Sequence, residues 1–286
     1  MISVIISTYR THYLNNLKKN IQETIGVPYE IIAIENPNNL SLAICYNQGA
    51  EKAKYQILCF LHEDIIIKTN NWGIVLYDLF HNDPLIGLVG VAGVKYKTQS
   101  PSPLWNLDKS SQVINIIHTT NSSQPEPFFH GWDNTDAGYQ DVIMVDGVIL
   151  ALRKETGLKF NTKIPGFHCY DMSISMECTK YGYKVVVTRE ILIEHFSMGN
   201  VDKSWIVSAH IFHKLYWYQF QSYFKSLIKP ADEIQTLKNF ILFSAQNGFI
   251  KVSIFWWLKV LVKQPTSGFH LLYLNQLLKS TKKNNG

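Results

Sequence analysis

Several apolar runs in this sequence end on side chains that can hold a cation or move a proton. ILCFLHED closes on His62, Glu63 and Asp64. SVIISTY closes on Ser7, Thr8 and Tyr9, and EIIAIEN on Glu35 and Asn36. Later in the chain, VIMVDG carries Asp146, GFHCYD carries His168 and Asp171, and ILIEH closes on His195. Carboxylate oxygens suit hard divalent cations, and imidazole nitrogens suit borderline ones. Both groups also exchange protons with substrates when their environment tunes them. The chemistry on offer is therefore cation binding and general acid–base work.

To act together, these groups must be brought to one edge of a sheet. SVIIST is a continuous β-branched run of the kind found in strands buried on both faces. Helical patterning is predicted over 11–25 and over 41–53, where Ser41 is the expected N-cap; a shorter helix is expected over 72–81. EIIAIEN, YQILCFLHED and GLVGVAG read as the strands between and after them. The alternation predicts an α/β fold with a mainly parallel sheet flanked by helices. In such sheets ligands bind beyond the carboxyl ends of the strands, where these polar groups stand. Residues 95–140 are rich in Ser, Pro, Asn and Asp and read as a long loop, functional or mobile. VIMVDGVILALRK and KVVVT resume as strands, and a helix is expected after GFHCYD.

Composition excludes several classes. The chain has 286 residues with 46% hydrophobic, 17% charged and 13% aromatic content, so it can build a core and is not disordered. Its four cysteines form no CxxC pair, which excludes a disulfide framework and a zinc ribbon. The opening MISVIISTYR lacks the basic and apolar regions of a secretion signal, so a cytoplasmic location is expected. No uncharged apolar run reaches the length of a membrane span. The basic residues are almost all lysine, with only Arg10, Arg153 and Arg189. Nucleic-acid readers lean on arginine, so no nucleic-acid partner is expected.

The order SVIISTYR, AIEN, SLAICYNQGAEKA and ILCFLHED resembles that of the family 2 glycosyltransferases with the GT-A (Rossmann-like) fold. GLVGVAG, VDGVILALRK, GFHCYDMSISMECTKYGYKVVV and IEHFSMG continue the family's order. The resemblance covers roughly residues 2–200 and looks most like a bacterial branch with a histidine before the metal-binding acid. It implies a catalytic domain over 1–205 and a helical, basic, aromatic-rich region over 206–286. The implied activity is transfer of a sugar from a nucleotide diphosphate sugar to a hydroxyl acceptor, with inversion, in synthesis of a surface polysaccharide such as O-antigen or capsule. Mn²⁺ or Mg²⁺ would bridge the donor's phosphates. The acceptor would be a glycan or a lipid-linked glycan.

Site roles follow from the same resemblance. His62-Glu63-Asp64 stands where the family has its DxD motif, with Asp64 as metal ligand and His195 completing the metal site. His62 takes the place of the first aspartate, so His62 and Glu63 are assigned only to the nucleotide sugar. Ser7, Thr8, Tyr9, Glu35 and Asn47 would line the nucleotide cleft; for Asn47 an amide bonding the protein itself is an equal reading. Asp146-Gly147 would hold the donor sugar, Gly147 allowing close backbone approach. Asp171 would be the catalytic base, the alternative being a helix cap. Trp105 and Trp132, with His130, could form an acceptor platform or pin the loop, and His168 could touch either substrate.

From Ile206 onward there are ten lysines against Asp232 and Glu233, while the rest of the chain carries 17 basic and 20 acidic residues. FIKVSIFWWLKVLVK, over 249–263, is apolar apart from Lys251, Lys259 and Lys263. It reads either as a helix lying in a membrane interface or as a core helix with lysines at its wet edge. Two other functions share the α/β pattern. A sugar nucleotidyltransferase would need a glycine-rich phosphate loop near the N-terminus, which SVIISTYRTHYL does not offer. A non-catalytic nucleotide- or glycan-binding module would not need Asp64, Asp171 and His195 together.

Overall fold

A computed structural model describes residues 1–37, 39–105, 109–119, 124–133, 137–197, 199–227 and 229–284. The chain divides into two compact units. The first comprises residues 1–97 and 107–200, the second residues 98–106 and 201–286.

The first unit opens with β1 (Ile2–Thr8), α1 (Thr11–Thr24), β2 (Tyr29–Glu35), α2 (Leu42–Lys52) and β3 (Ile57–Leu61). β1 pairs in parallel with both β2 and β3. Its alternate side chains face two different cores, which is why the run is apolar throughout. Val4 and Ile6 pack with Leu14, Leu17 and Ile21 of α1, whereas Ile5 packs with Leu42, Ala43 and Tyr46 of α2. The expected N-cap is present, with the Ser41 hydroxyl accepting from the Ile44 N–H.

The chain continues through β4 (Ile65–Ile67), α3 (Trp72–Asn82), β5 (Ile86–Gly90), β6 (Ala92–Val94), β7 (Gln112–His118) and β8 (Glu126–His130). β9 (Tyr139–Val142), β10 (Met144–Val145), β11 (Ile149–Arg153), α4 (Tyr170–Lys180), β12 (Lys184–Thr188) and β13 (Ile193–His195) complete it. One sheet has the order β2-β1-β3-β11-β5-β12-β9. Its parallel run is interrupted by β11, which is antiparallel to both β3 and β5. A second sheet has the order β10-β6-β7-β13-β4, with β8 paired to β7.

The stretch 95–140 is not one long loop, because β7, β8 and the start of β9 fall within it. β7 carries the apolar alternation in Val113, Ile114 and Ile116, all buried. The polar Gln112 and Asn115 disguised it in the sequence. Asn115 can be buried because its amide donates to the backbone oxygens of Arg189 and Ile191. An amide satisfied in this way costs far less to bury than an unpaired one.

The second unit is helical: α5 (Lys203–Leu215), α6 (Trp217–Tyr223), α7 (Pro230–Gln246), α8 (Ile250–Lys263) and α9 (Phe269–Asn284). Asp202 caps α5 by accepting from the Ser204 and Trp205 N–H groups. Pro230 and the acids Asp232 and Glu233 open α7, where a missing N–H and negative charge are both favourable. The buried Glu233 carboxylate accepts from the Gln99 and Ser100 N–H groups at 2.6 and 2.9 Å, tying this short segment to α7. Among the described residues, no helix is long and apolar enough to cross a membrane.

Candidate active site

The end of β3 is where chain and chemistry meet. At His62 the chain leaves the first sheet, and at Ile65 it enters the second. The His62 N–H donates to Val148 O, and the Phe196 N–H donates to Asp64 O. β4 runs antiparallel to β13 with His195 opposite Ile65, which sets Asp64 beside His195. β7 runs parallel to β13 with His118 opposite His195. Three strands that each end on histidine or acid thus converge.

Asp64 Oδ1 lies 3.5 Å from His195 Nε2, and Ser197 Oγ lies 3.1 Å from the same nitrogen. One ligand atom each from His62, Asp64 and His195 falls within 4.8 Å of the others. The His62 and His195 rings are 5.7 Å apart, and His118 stands 5.5 Å beyond His195. Burial opposes ionisation of Asp64, but the His195 hydrogen bond, the charges of His195 and His62 and the Ser197 hydroxyl outweigh it. Its carboxyl is held well below the usual range. Burial, then the neighbouring His195 charge, push the His62 and His118 imidazoles down. An ionised Asp64 carboxylate beside a His62 imidazole that resists protonation is what a metal site requires of these two groups. The donor set therefore fits a divalent cation.

Tyr170, buried at the start of α4, holds this cluster. Its hydroxyl contacts His62 Nε2 at 2.7 Å, and its ring packs against Tyr46 and Phe160. Gly147 makes room for it, since a Cβ there would meet the Tyr170 hydroxyl at 1.9 Å. This tyrosine makes a close approach that the absence of a Cβ at Gly147 allows.

Next along α4 is Asp171. Its Oδ2 accepts from the Gly147 N–H at 3.1 Å, and its Oδ1 from the Met172 N–H at 2.8 Å. Burial, then the charge of Asp146, raise its carboxyl from an ordinary 3.8 to about 7. A carboxyl that titrates near neutrality is poised to take a proton. Asp146 is fixed by accepting from the Val148 N–H at 3.0 Å.

The other residues singled out from sequence fall into three groups. Thr8, Tyr9, Glu35 and Glu63 gather at the carboxyl edge of the sheet, with Ser7 one step inside it. Thr8 lies in register with Glu35. The buried Glu63 carboxylate accepts from the Thr8 hydroxyl and from the Tyr9 and Arg10 N–H groups, so it shapes the β1 turn. Tyr9 is exposed, with the Arg10 guanidinium 4.8 Å from its ring centre. His168 lies half-buried in the turn before α4.

Asn47 bonds the protein itself. Its amide donates to Phe160 O and accepts from Phe160 N, a two-point clamp on the backbone. Trp132 packs on the core and donates its indole N–H to Ile114 O, so it pins its segment. His130 Nε2 contacts Gln112 Oε1 at 3.2 Å on the β8–β7 hairpin. Trp105 belongs to the second unit. Sequence reasoning missed His118 and Tyr170. The signal for His118 was INIIH, an apolar run ending on histidine as ILCFLH and ILIEH do.

The sequence matches the model of a family described as "Glycosyltransferase like family", family 2-like, over residues 4–226. The chain belongs to this family. None of the curated proteins matches it significantly. Solved structures share its fold. One is the mannosyltransferase PcManGT from Pyrobaculum calidifontis, in complex with GDP-Man and Mn²⁺. It is 14% identical over 99% of this chain and 86% of that one, with a TM-score of 0.51. Another is GalNAc-T7 with UDP, GalNAc and Mn²⁺, 13% identical over 84% of this chain, with a TM-score of 0.52. This chain spans about half, 53%, of GalNAc-T7. The GT-A fold expected from the sequence is the fold observed.

Proposed function

We propose that this protein moves a sugar from a nucleotide diphosphate sugar to a hydroxyl of a glycan or lipid-linked glycan, inverting the anomeric centre. The observation that carries the reading is the pairing of two environments in one site. Asp64 is held ionised beside histidines, while Asp171 is raised to about 7 one residue from the tyrosine that holds His62. Groups whose environments push them apart in this way divide binding from proton transfer.

His62, Asp64 and His195 would hold the cation, with His118 beside them. A divalent cation there would neutralise charge on the departing diphosphate. The mixed nitrogen and oxygen donors favour Mn²⁺ over Mg²⁺, which takes oxygen ligands almost alone. Thr8, Tyr9 and Glu35 stand at the sheet edge to receive the nucleoside. Asp171 takes the proton of the acceptor hydroxyl as its oxygen bonds to the anomeric carbon and the bond from that carbon to the diphosphate oxygen breaks. A base titrating near 7 is matched to this task at neutral pH. A bacterial surface polysaccharide as destination follows from the family resemblance alone.

The test is calorimetric titration with UDP, GDP, dTDP and CDP, each with Mn²⁺ and with EDTA, on wild type and Asp64→Ala. One nucleotide is expected to bind only with metal and only to wild type. Binding indifferent to both metal and Asp64 would move a metal-free binding module to the front.

A further inference from the structure

The last two helices of the second unit are apolar on the side turned away from the helices they pack on. In α8, Ser253, Trp256 and Val260 are buried. Ile254, Phe255, Leu258 and Val262 are exposed, Val262 at 84%. At about 100° per residue these four occupy an arc of about 100° opposite the buried three. α9 repeats the arrangement: Tyr273 is buried, while Leu271 (71%), Leu274 and Leu278 (63%) are exposed at helical spacing. The inward sides are already engaged. Ser253 Oγ meets Tyr273 OH at 2.8 Å, and the Trp257 indole donates to His270 Nδ1 at 3.0 Å. Water-facing helices carry polar residues where these carry leucine, isoleucine and valine.

Charge says what would cover these faces. Lys251 falls inside the exposed arc of α8, Lys263 is the helix's last residue about 80° beyond that arc, and Lys279 lies on α9; all are exposed. No Asp or Glu occurs after Glu233. A second copy would set lysines against lysines with no acid to answer them. An anionic lipid surface answers both features: headgroups take the lysines, and the acyl boundary takes the leucines. At about 1.5 Å per residue each helix is about 20–25 Å long, which suits lying in the interface rather than crossing it.

We propose that the outward faces of α8 and α9 dock this protein on an anionic lipid surface. Ile254, Leu258, Val262, Leu271, Leu274 and Leu278 enter the acyl boundary, and Lys251, Lys263 and Lys279 meet the phosphates. The proposal rests on the transferase reading only for its use, since a lipid-linked acceptor is presented at such a surface.

Flotation of the full chain with vesicles of phosphatidylcholine alone, or mixed with phosphatidylglycerol, tests it. Wild type is expected to float with the mixed vesicles, less with phosphatidylcholine alone, and less as salt rises. Each lysine near the surface is worth about a fivefold change, so Lys251→Gln with Lys263→Gln and Lys279→Gln should weaken binding on the order of 100-fold. Leu258→Ser with Val262→Ser and Leu271→Ser alters exposed side chains only and should abolish flotation while circular dichroism stays unchanged. Asp171→Asn should float as wild type does, which separates this surface from the catalytic reading. Wild type that ignores phosphatidylglycerol vesicles would overturn the proposal. So would a dimer in solution that Leu258→Ser with Val262→Ser dissociates.

Discussion

Replacing Asp171 with asparagine should stabilise the protein at high pH while removing its turnover. The carboxyl is raised from 3.8 in an unfolded chain to about 7 in the fold. A raised value means that its contribution to stability is whole below about 3.8 and is lost as pH climbs through about 7. Each pH unit between those limits is worth about 1.4 kcal/mol, so the full effect has an upper bound of about 4 kcal/mol. Asp171 is not wholly shielded from solvent, and about 1–3 kcal/mol between pH 5 and pH 8 is the working expectation. Asparagine mimics the protonated acid, with one acceptor for the Gly147 and Met172 N–H donors. Near pH 4, where the acid is protonated in both folded and unfolded chains, variant and wild type should therefore melt close together. By pH 8 the variant should melt several degrees higher, at about 2–4 °C per kcal/mol. Thermal melts of both proteins in EDTA across pH 4–8 measure this. A gap that stays constant with pH, or a variant progressively less stable as pH rises, would refute the reasoning. In the same variant kcat should fall by about 100-fold or more with donor affinity kept.

Three more perturbations separate positioning from chemistry. Tyr170→Phe removes the hydroxyl on His62 but keeps the ring; titration with Mn²⁺ should show affinity reduced about 10–100-fold, as loss of a ligand's supporting bond does. Gly147→Ala drives a methyl into the Tyr170 hydroxyl and should cost about 1–3 kcal/mol in urea unfolding, with weakened Mn²⁺ binding. Asn47→Ala breaks the clamp on Phe160 and should cost about 1–3 kcal/mol of stability while leaving nucleotide affinity unchanged.

The sheet edge was legible because strands such as SVIIST and ILCFL are apolar without interruption and end on polar groups. Asp64 and His195 were set together by the family resemblance, whereas His62, assigned only to the nucleotide sugar, joins them in the structure. The orientation of β11 was not legible, since a strand's direction leaves no mark in its own composition. β7 was hidden because Asn115 is buried and satisfied by distant backbone oxygens, a compensation that no local pattern shows. The same long-range logic hid the partner of Asn47, since Phe160 lies far along the chain. It also concealed the approach of the Tyr170 hydroxyl to Gly147. The outward leucines of α8 and α9 were only half legible. An amphipathic helix reads the same whether its apolar side meets core or lipid until the packed side is known.

The central claim is that metal-assisted donor binding and proton removal belong to separate carboxylates, Asp64 and Asp171. Release of nucleoside diphosphate from a panel of sugar nucleotides, with and without Mn²⁺, on wild type and Asp171→Asn, tests it most directly. The account predicts release from one donor class that needs Mn²⁺ and is lost in Asp171→Asn, although that variant still binds the donor. Release that proceeds without metal, or at the wild-type rate in Asp171→Asn, would contradict it.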